Sequence, residues 1–263
     1  MSTKLEVKDL LESGAHFGHQ VQKWNPKMKP YVFGEREGVY IIDLTKTVPL
    51  ASNAYEFLKT TAASGKGVLF VATKRQAQDT VKKAAEACGA FHITNRWLGG
   101  MLTNYKTIAI SIDKLRKVEK MKENGDFKLL TKKEQSKIEK EMVKLEKNLG
   151  GIKEMRKLPG ALFIVDPDNE RIAVKEAKNL GIPVVAITDT NCDPTDVDYV
   201  VPGNDDAIKS IKLFTEYFSN AVSEGSRNVK KKNEDGTFDR DAALEKEILE
   251  KYEKDIELKD EDL

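Results

Sequence analysis

The feature that most constrains the fold of this chain is an alternation of short β-branched runs with longer segments of helical periodicity. Five runs are predicted to form buried parallel strands, at residues 38–43, 67–72, 161–166, 183–188 and 199–201. Helical periodicity marks the segments between them, at residues 50–63, 76–87, 170–180 and 205–222. An alternation of this kind is typical of a parallel sheet covered by helices on both faces. The sequence therefore predicts an α/β fold with three layers.

One long segment, residues 104–157, interrupts the alternation because it contains no plausible strand and is longer than a crossover requires. Its apolar residues recur at helical spacing in two series, Tyr105, Ile108, Ile112 and Leu115, then Ile138, Met142, Leu145, Leu149 and Ile152. Steps of four and three residues, as in the second series, are typical of a coiled-coil seam. Because Asn124, Gly125 and Asp126 separate the series, we expect an inserted antiparallel coiled-coil hairpin.

The net charge of +1 is the sum of two unlike parts. Residues 233–263 hold thirteen Asp and Glu against five Lys and Arg, which leaves an excess of +9 on the remainder. A basic body indicates a polyanionic partner, whereas an acidic segment with few apolar residues is more often solvated. We therefore expect an α/β domain over residues 1–103 and 158–226, and a mobile acidic tail over residues 227–263.

The opening segment, residues 1–37, is predicted to be a contact loop. Its central stretch, residues 16–34, reads HFGHQVQKWNPKMKPYVFG and carries four aromatic residues and three lysines without one carboxylate. Two prolines remove backbone donors, so we expect a largely irregular loop. Cationic side chains bind backbone phosphates, and aromatic rings stack on unpaired RNA bases. The candidate RNA contacts in this segment are Lys23, Trp24, Lys27, Lys29 and Arg36.

Two further places offer cations for RNA. Lys74 and Arg75 stand at the start of a predicted helix, where free amides favour a phosphate, although solvated surface charge explains either residue equally well. Residues 95–104, NRWLGGMLTN, contain a glycine pair that permits close backbone approach, and we call them the glycine-pair loop. Arg96 and the nearby Lys106 are candidate phosphate contacts, whereas Trp97 and Leu98 are candidate hydrophobic anchors.

Catalytic and cofactor motifs are missing from the sequence. Neither a phosphate-binding G-x-x-x-x-G-K-[ST] loop nor a G-x-S-x-G nucleophile elbow occurs, so we expect no catalytic residues and no cofactor. An α/β enzyme or small-ligand binder with a phosphate site at Lys74 and Arg75 is the alternative. Cys88 and Cys192 lie far apart and do not indicate a disulfide framework or a paired-cysteine zinc site.

Metal binding is not indicated by the remaining polar clusters. The carboxylates of residues 189–198 are better explained as turn and capping residues, and His16 and His19 as packed or hydrogen-bonded side chains. Whether either group binds an ion is left open by the sequence. No apolar run approaches the length of a membrane span and the N-terminus is charged, so we expect a cytoplasmic protein.

Four ordered motifs resemble those of one known family. They are HFGHQVQKWNPKMKPYVFG followed by IIDLTKT, then NRWLGGMLTN, then LPGALFIVDPDNERIAVKEAKNLGIPVVAITDTNCDP, and finally YVVPGNDDAIKSI. Over residues 10–223 the sequence resembles the bacterial small-subunit ribosomal protein S2 family. The acidic tail has no counterpart in this resemblance.

The resemblance implies both a fold and a role. The implied fold is a flavodoxin-like α/β domain with a protruding coiled-coil hairpin. The implied role is structural and non-catalytic, in translation, at the junction of the head and body of the small subunit. Small-subunit ribosomal RNA and neighbouring ribosomal proteins would be its partners, and it would help to dock the large messenger-binding protein of that subunit.

Overall fold

A computed structural model of the chain describes residues 5–234, and it gives side-chain positions for these residues except 128–129 and 228–234. The helices are α1 Val7–Ser13, α2 Leu44–Ala63, α3 Gln78–Cys88, α4 Tyr105–Asn124, α5 Lys132–Leu149, α6 Arg171–Asn179 and α7 Ile208–Glu234. The strands are β1 Phe17–Gln20, β2 Val32–Arg36, β3 Val39–Ile42, β4 Val68–Val71, β5 Phe91–Ile93, β6 Ala161–Val165, β7 Val184–Thr188 and β8 Tyr199–Pro202. Short 3-10 turns lie at Val21–Lys23, Pro26–Tyr31, Asp126–Leu129, Gly150–Ile152 and Pro194–Asp196.

A five-stranded parallel sheet forms the centre of the fold. Its strand order is β5-β4-β6-β7-β8, and every neighbouring pair is parallel. The predicted α/β fold is confirmed, and four of the predicted strands lie in this sheet. The sequence missed the edge strand β5, because three residues are too short to display a periodicity.

Two hydrophobic clusters cover the two faces of this sheet. Successive side chains of a strand point to opposite faces, so neighbouring residues enter different clusters. Phe70 and Phe163 lie in the cluster that includes Leu58 of α2 and Phe214 of α7. Leu69 lies in the other cluster, with residues of α4 and α6. The strands therefore read as continuous apolar runs because both of their faces are buried.

The prediction of a parallel strand at residues 38–43 was wrong. This segment contains β3, which lies between β1 and β2 in a separate antiparallel sheet. Glu37 and Gly38 connect β2 to β3 with φ of 54° and 76°. Positive φ at both central residues is the conformation of tight hairpin turns, which reverse the chain at once. A β-branched run is compatible with either sheet type, so the pattern alone did not distinguish them.

The prediction of an irregular loop at residues 16–34 was also wrong in part. The segment contains β1, the start of β2 and two 3-10 turns, and its Met28 is fully buried. The segment is fixed to the loop after β7, because the His19 amide donates to Thr190 Oγ1 at 2.8 Å and the Asn25 amide donates to the Thr190 carbonyl at 2.7 Å. Register irregularities interrupt the pairing in the small sheet, so its strands show no regular two-residue alternation in the sequence.

The insertion consists of α4 and α5. Ile112 of α4 and Leu149 of α5 are buried in the same cluster as the sheet, and Lys114 forms an ion pair with Glu141 across the two helices. Ile138 and Met142 are only half-buried. The coiled-coil seam thus stays a prediction, although two helices occupy the predicted segment.

The last described helix, α7, packs along α2 and α3. It continues to Glu234, beyond the predicted domain boundary at residue 226. Residues 235–263 of the predicted acidic tail lie outside the described residues. Among the described helices, none combines the length and apolar character that a membrane crossing requires.

Candidate functional site

The cationic side chains of the opening segment differ in whether they are free to bind an anion. Lys23, Lys29 and Arg36 are exposed, and none of them is ion-paired with a residue that the structure describes. Lys27 is exposed but donates to Asp193 at 2.7 Å and to Thr195 at 3.0 Å. The first three side chains can therefore meet an anion without breaking an existing contact, and Lys27 cannot.

Trp24 is positioned by the small sheet. Its ring packs against Tyr40 of β3 with ring centroids 4.6 Å apart, and the side chain is half-buried. One aromatic contact is therefore made within the chain, and the exposed part of the ring is left for a second partner. Phe33 on β2 is 79% exposed and offers a more accessible ring than Trp24.

A groove joins the opening segment to helix α6. Its volume is about 520 Å³, and Lys23, Arg171 and Lys175 line it together with the carboxylates of Asp168, Asp193 and Asp196. Lys175 is exposed and has no ion pair within the described part of the chain, whereas Arg171 pairs with Asp168. The sequence reasoning missed both α6 cations. Their spacing of four residues on a predicted helix was the signal that could have found them.

The glycine-pair loop is organised by one buried carboxylate. Glu176 of α6 accepts hydrogen bonds at Oε1 from Trp97 Nε1 at 3.1 Å and from the Gly100 amide at 2.7 Å. Its Oε2 accepts from the Leu102 amide and from the amide and hydroxyl of Thr103, all at 3.0 Å. A single side chain thus satisfies five donors of a loop that has no regular secondary structure of its own.

The electrostatics of Glu176 keep it ionised. Burial by itself raises the pKa of its carboxyl group, but hydrogen bonds from Thr103, Leu102 and Trp97 outweigh burial and lower the pKa below its ordinary value. Of the two candidate anchors, Trp97 is buried and Leu98 is half-buried, while Arg96 and Lys106 are exposed. The carboxylate therefore fixes the loop between two cations that face solvent.

Lys74 is placed differently from the other candidates. Its ammonium lies 2.6 Å from Asp205, 2.5 Å from Asp206 and 3.3 Å from Asp166, at the carboxyl ends of the sheet strands. Burial lowers the pKa of Lys74, but the neighbouring carboxylates outweigh it and raise the pKa. A side chain that neutralises buried carboxylates is unavailable to a phosphate, which these carboxylates would repel. The adjacent Arg75 is exposed.

The same carboxylates gather donor atoms of the kinds that bind metals. His19 Nδ1 lies 3.1 Å from Asp189 and its Nε2 lies 3.3 Å from Asp206. The carboxylate of Asp189 beside the ring raises the pKa of His19. His19, Asp205 and Asp206 form one set with ligand atoms within 4.8 Å of one another, and Asp166, Cys192 and Asp205 form another. Such donors suit zinc, although Lys74 already supplies a positive charge to both sets.

The candidate residues therefore fall into three places. Lys23 and Lys27 approach the loop after β7, Arg96 and Lys106 flank the glycine-pair loop, and Lys74 is withdrawn among carboxylates. Helix α6 links the first two places, because Lys175 lines the groove beside Lys23 and Glu176 holds the loop. No ion pair between described residues joins the Lys74 cluster to the exposed cations.

Comparison with known proteins decides the family. The sequence pattern of the family described as Ribosomal protein S2 matches residues 10–225. The chain belongs to the ribosomal protein S2 family. A Small ribosomal subunit protein uS2 from Geotalea uraniireducens (strain Rf4) is 58% identical over 230 residues, which cover 87% of this chain and 90% of the relative. A Small ribosomal subunit protein uS2 from Treponema pallidum (strain Nichols) is 56% identical over 218 residues, covering 83% of this chain and 75% of the relative.

Membership of the ribosomal protein S2 family fixes the general role of the chain. The resemblance drawn from the sequence motifs is confirmed, and the role is that of a structural protein of the small ribosomal subunit in translation. The family is non-enzymatic. The alternative of an α/β enzyme is therefore wrong, and the electrostatics of Lys74 also oppose a phosphate site there.

Proposed function

We propose that the chain binds small-subunit ribosomal RNA through two exposed cationic places and joins neighbouring ribosomal proteins at the junction of the head and body. The first place is the groove between the opening segment and α6, with Lys23 and Lys175. The second is the glycine-pair loop, with Arg96 and Lys106. Lys29, Arg36 and Arg75 extend the cationic surface. We place this assembly in the cytoplasm, where the chain would also help to dock the large messenger-binding protein of the subunit.

The observation that carries the RNA proposal is the availability of these cations. Lys23, Lys175, Arg96 and Lys106 are exposed, and none forms an ion pair with a described residue. A cation that is free of intramolecular partners can release counterions from RNA without first breaking a salt bridge. Lys27 and Lys74 are engaged with carboxylates, so we assign them a smaller part than the sequence alone predicted.

Paired substitutions test the two places separately. Lys23→Gln with Lys175→Gln, and Arg96→Gln with Lys106→Gln, should each weaken binding of the full chain to small-subunit ribosomal RNA. Each lost phosphate contact should also reduce the slope of log affinity against log salt by about 0.7 to 0.9. Fluorescence anisotropy over a range of salt concentrations measures both quantities.

A pair of lysines on another surface serves as the control. Lys83 of α3 and Lys212 of α7 are exposed and line a separate groove between these helices, and Lys212 forms an ion pair with Glu216 at 3.7 Å. Lys83→Gln with Lys212→Gln should leave affinity and salt slope unchanged. If the test pairs behave like this control pair, the proposed RNA surface is wrong. Occupancy of the messenger-binding protein on subunits assembled without the chain tests the docking role, which is refuted if that occupancy does not fall.

A further inference from the structure

A second groove lies at the opposite edge of the sheet from Lys74. Its volume is about 1070 Å³, and it is formed by the residues that precede β4, β6 and β7, together with the end of α2. Cationic and apolar side chains both line it, among them Phe57, Lys66, Phe91, Arg156, Leu158 and Ile182. We call it the basic groove.

The charge of the basic groove is positive. Lys66 and Arg156 are exposed, and neither forms an ion pair with a described residue. Lys157 also lines the groove, and Glu154, the one acidic residue among the described lining residues, lies 3.6 Å from Arg116. Leu158 is 41% exposed and gives the groove an accessible apolar surface. An occupant with both carboxylates and apolar side chains would satisfy both features.

Helix α7 contacts the end of α2, which borders this groove. A Cβ placed on Gly225 would lie 2.3 Å from the Lys59 carbonyl and 2.7 Å from Ala62, so the two helices touch where α2 ends. Glu224 adds an ion pair with Lys59 at 3.1 Å. The residues that follow α2, 64–67, form one wall of the basic groove. From Gly225 to the end of α7, the helix advances by only about 13 Å.

The sequence beyond α7 has the chemistry that the basic groove requires. Residues 235–263 contain twelve Asp and Glu against five Lys and Arg. Four apolar residues recur in them at every fourth position, at Leu244, Ile248, Tyr252 and Ile256. Even a few residues of extended chain, at about 3.3 Å each, cover the distance back to the groove.

We propose that residues 235–263 occupy the basic groove of the same chain. Tethering makes the encounter intramolecular, so an effective concentration in the millimolar range supports docking even when the segment binds weakly on its own. Occupation of the groove shields Lys66 and Arg156 from other polyanions. The RNA surface proposed above lies on other residues, so the two proposals can fail independently.

Zero-length carbodiimide coupling on the full chain tests this docking, because it joins an amine only to a carboxylate that touches it. Mapping by mass spectrometry should find Lys66 linked to carboxylates of residues 235–263. The yield should exceed that at Lys83 or Lys212 by about tenfold, because all three lysines are tethered to these carboxylates but docking holds the carboxylates only beside Lys66. Raising the salt concentration from about 0.05 M to about 0.5 M should reduce it, since screening weakens exposed ion pairs.

A charge-reversal variant tests whether the links at Lys66 depend on the basic groove, and a mixture of heavy-isotope and light-isotope chains tests whether they form within one chain. In the full chain with Arg156→Glu, the yield at Lys66 should fall severalfold, while Lys83→Glu should not change it. Links that join heavy-isotope to light-isotope chains would show a second copy in the groove and overturn the proposal. Equal yields at Lys66, Lys83 and Lys212, or no links at Lys66, would overturn it as well.

Discussion

Replacing Glu176 by Gln tests whether one carboxylate organises the glycine-pair loop. The substitution preserves the volume of the side chain and exchanges one acceptor oxygen for an NH2 group, which cannot accept the hydrogen bonds that this oxygen accepts now. Both the Trp97 indole and the Leu102 amide donate to Glu176 and are buried, so they cannot turn to water instead. A buried donor left unpaired costs about 1 to 3 kcal/mol.

The expected magnitude follows from these donors. Gln keeps one oxygen and can serve either the Trp97 side or the Leu102 side, so we expect a loss of about 2 to 4 kcal/mol in the free energy of unfolding at neutral pH. Urea unfolding of the full chain, followed by circular dichroism and extrapolated to water, measures this loss. Trp97 fluorescence in a Trp24→Phe background reports whether the loop itself has moved.

The pH dependence gives a second readout. The pKa of Glu176 lies below its ordinary value of 4.5 in the folded chain. The stability that the ionised Glu176 contributes is therefore fully present above pH 4.5, and it is lost as the pH falls through the lowered pKa of the folded state. The difference between the parent and Glu176→Gln should accordingly shrink below pH 4.5.

The control is Glu86→Gln, the same chemical change at an exposed position of α3. It should alter stability by no more than about 0.5 kcal/mol. If Glu176→Gln matched this control at neutral pH and left Trp97 fluorescence unchanged, the carboxylate would not organise the loop and the reasoning would be refuted.

Three further substitutions test the packing and the buried charges. Gly225→Ala should destabilise the chain by about 1 to 3 kcal/mol in urea unfolding, because its Cβ would meet α2 backbone. Gly99→Ala should not destabilise the chain in this way, because a Cβ at Gly99 would have open space around it. Ile112→Ala on α4 should cost about 2 to 5 kcal/mol by the same assay, whereas Ile110→Ala, at a site 70% exposed, should cost about 0.5 kcal/mol or less. Lys74→Met should lower the free energy of unfolding by about 3 to 5 kcal/mol at about pH 9, since it leaves the buried Asp205 carboxylate without its cation. Burial raises the pKa of Asp205 to about 8, so the loss should decrease as the pH falls below 8 and Asp205 takes up a proton; a loss independent of pH would contradict this account.

The sequence by itself determined the parallel sheet, the helical insertion and the family. These features depend on local patterns: fully buried strands are continuously apolar, helices repeat every 3.6 residues, and the family motifs are contiguous. Burial of Trp97 and exposure of Arg96 were also readable, because one side chain is large and apolar and its neighbour is charged.

The tertiary structure alone decided which cations are available. Lys74 and Arg75 are adjacent in sequence, yet Lys74 is half-buried among carboxylates more than ninety residues away and Arg75 is exposed. Glu176 gave no local sign that it would accept five hydrogen bonds from a loop over seventy residues earlier in the chain. Charge availability depends on which distant side chains the fold brings within a few ångströms, and local periodicity carries no information about such pairs.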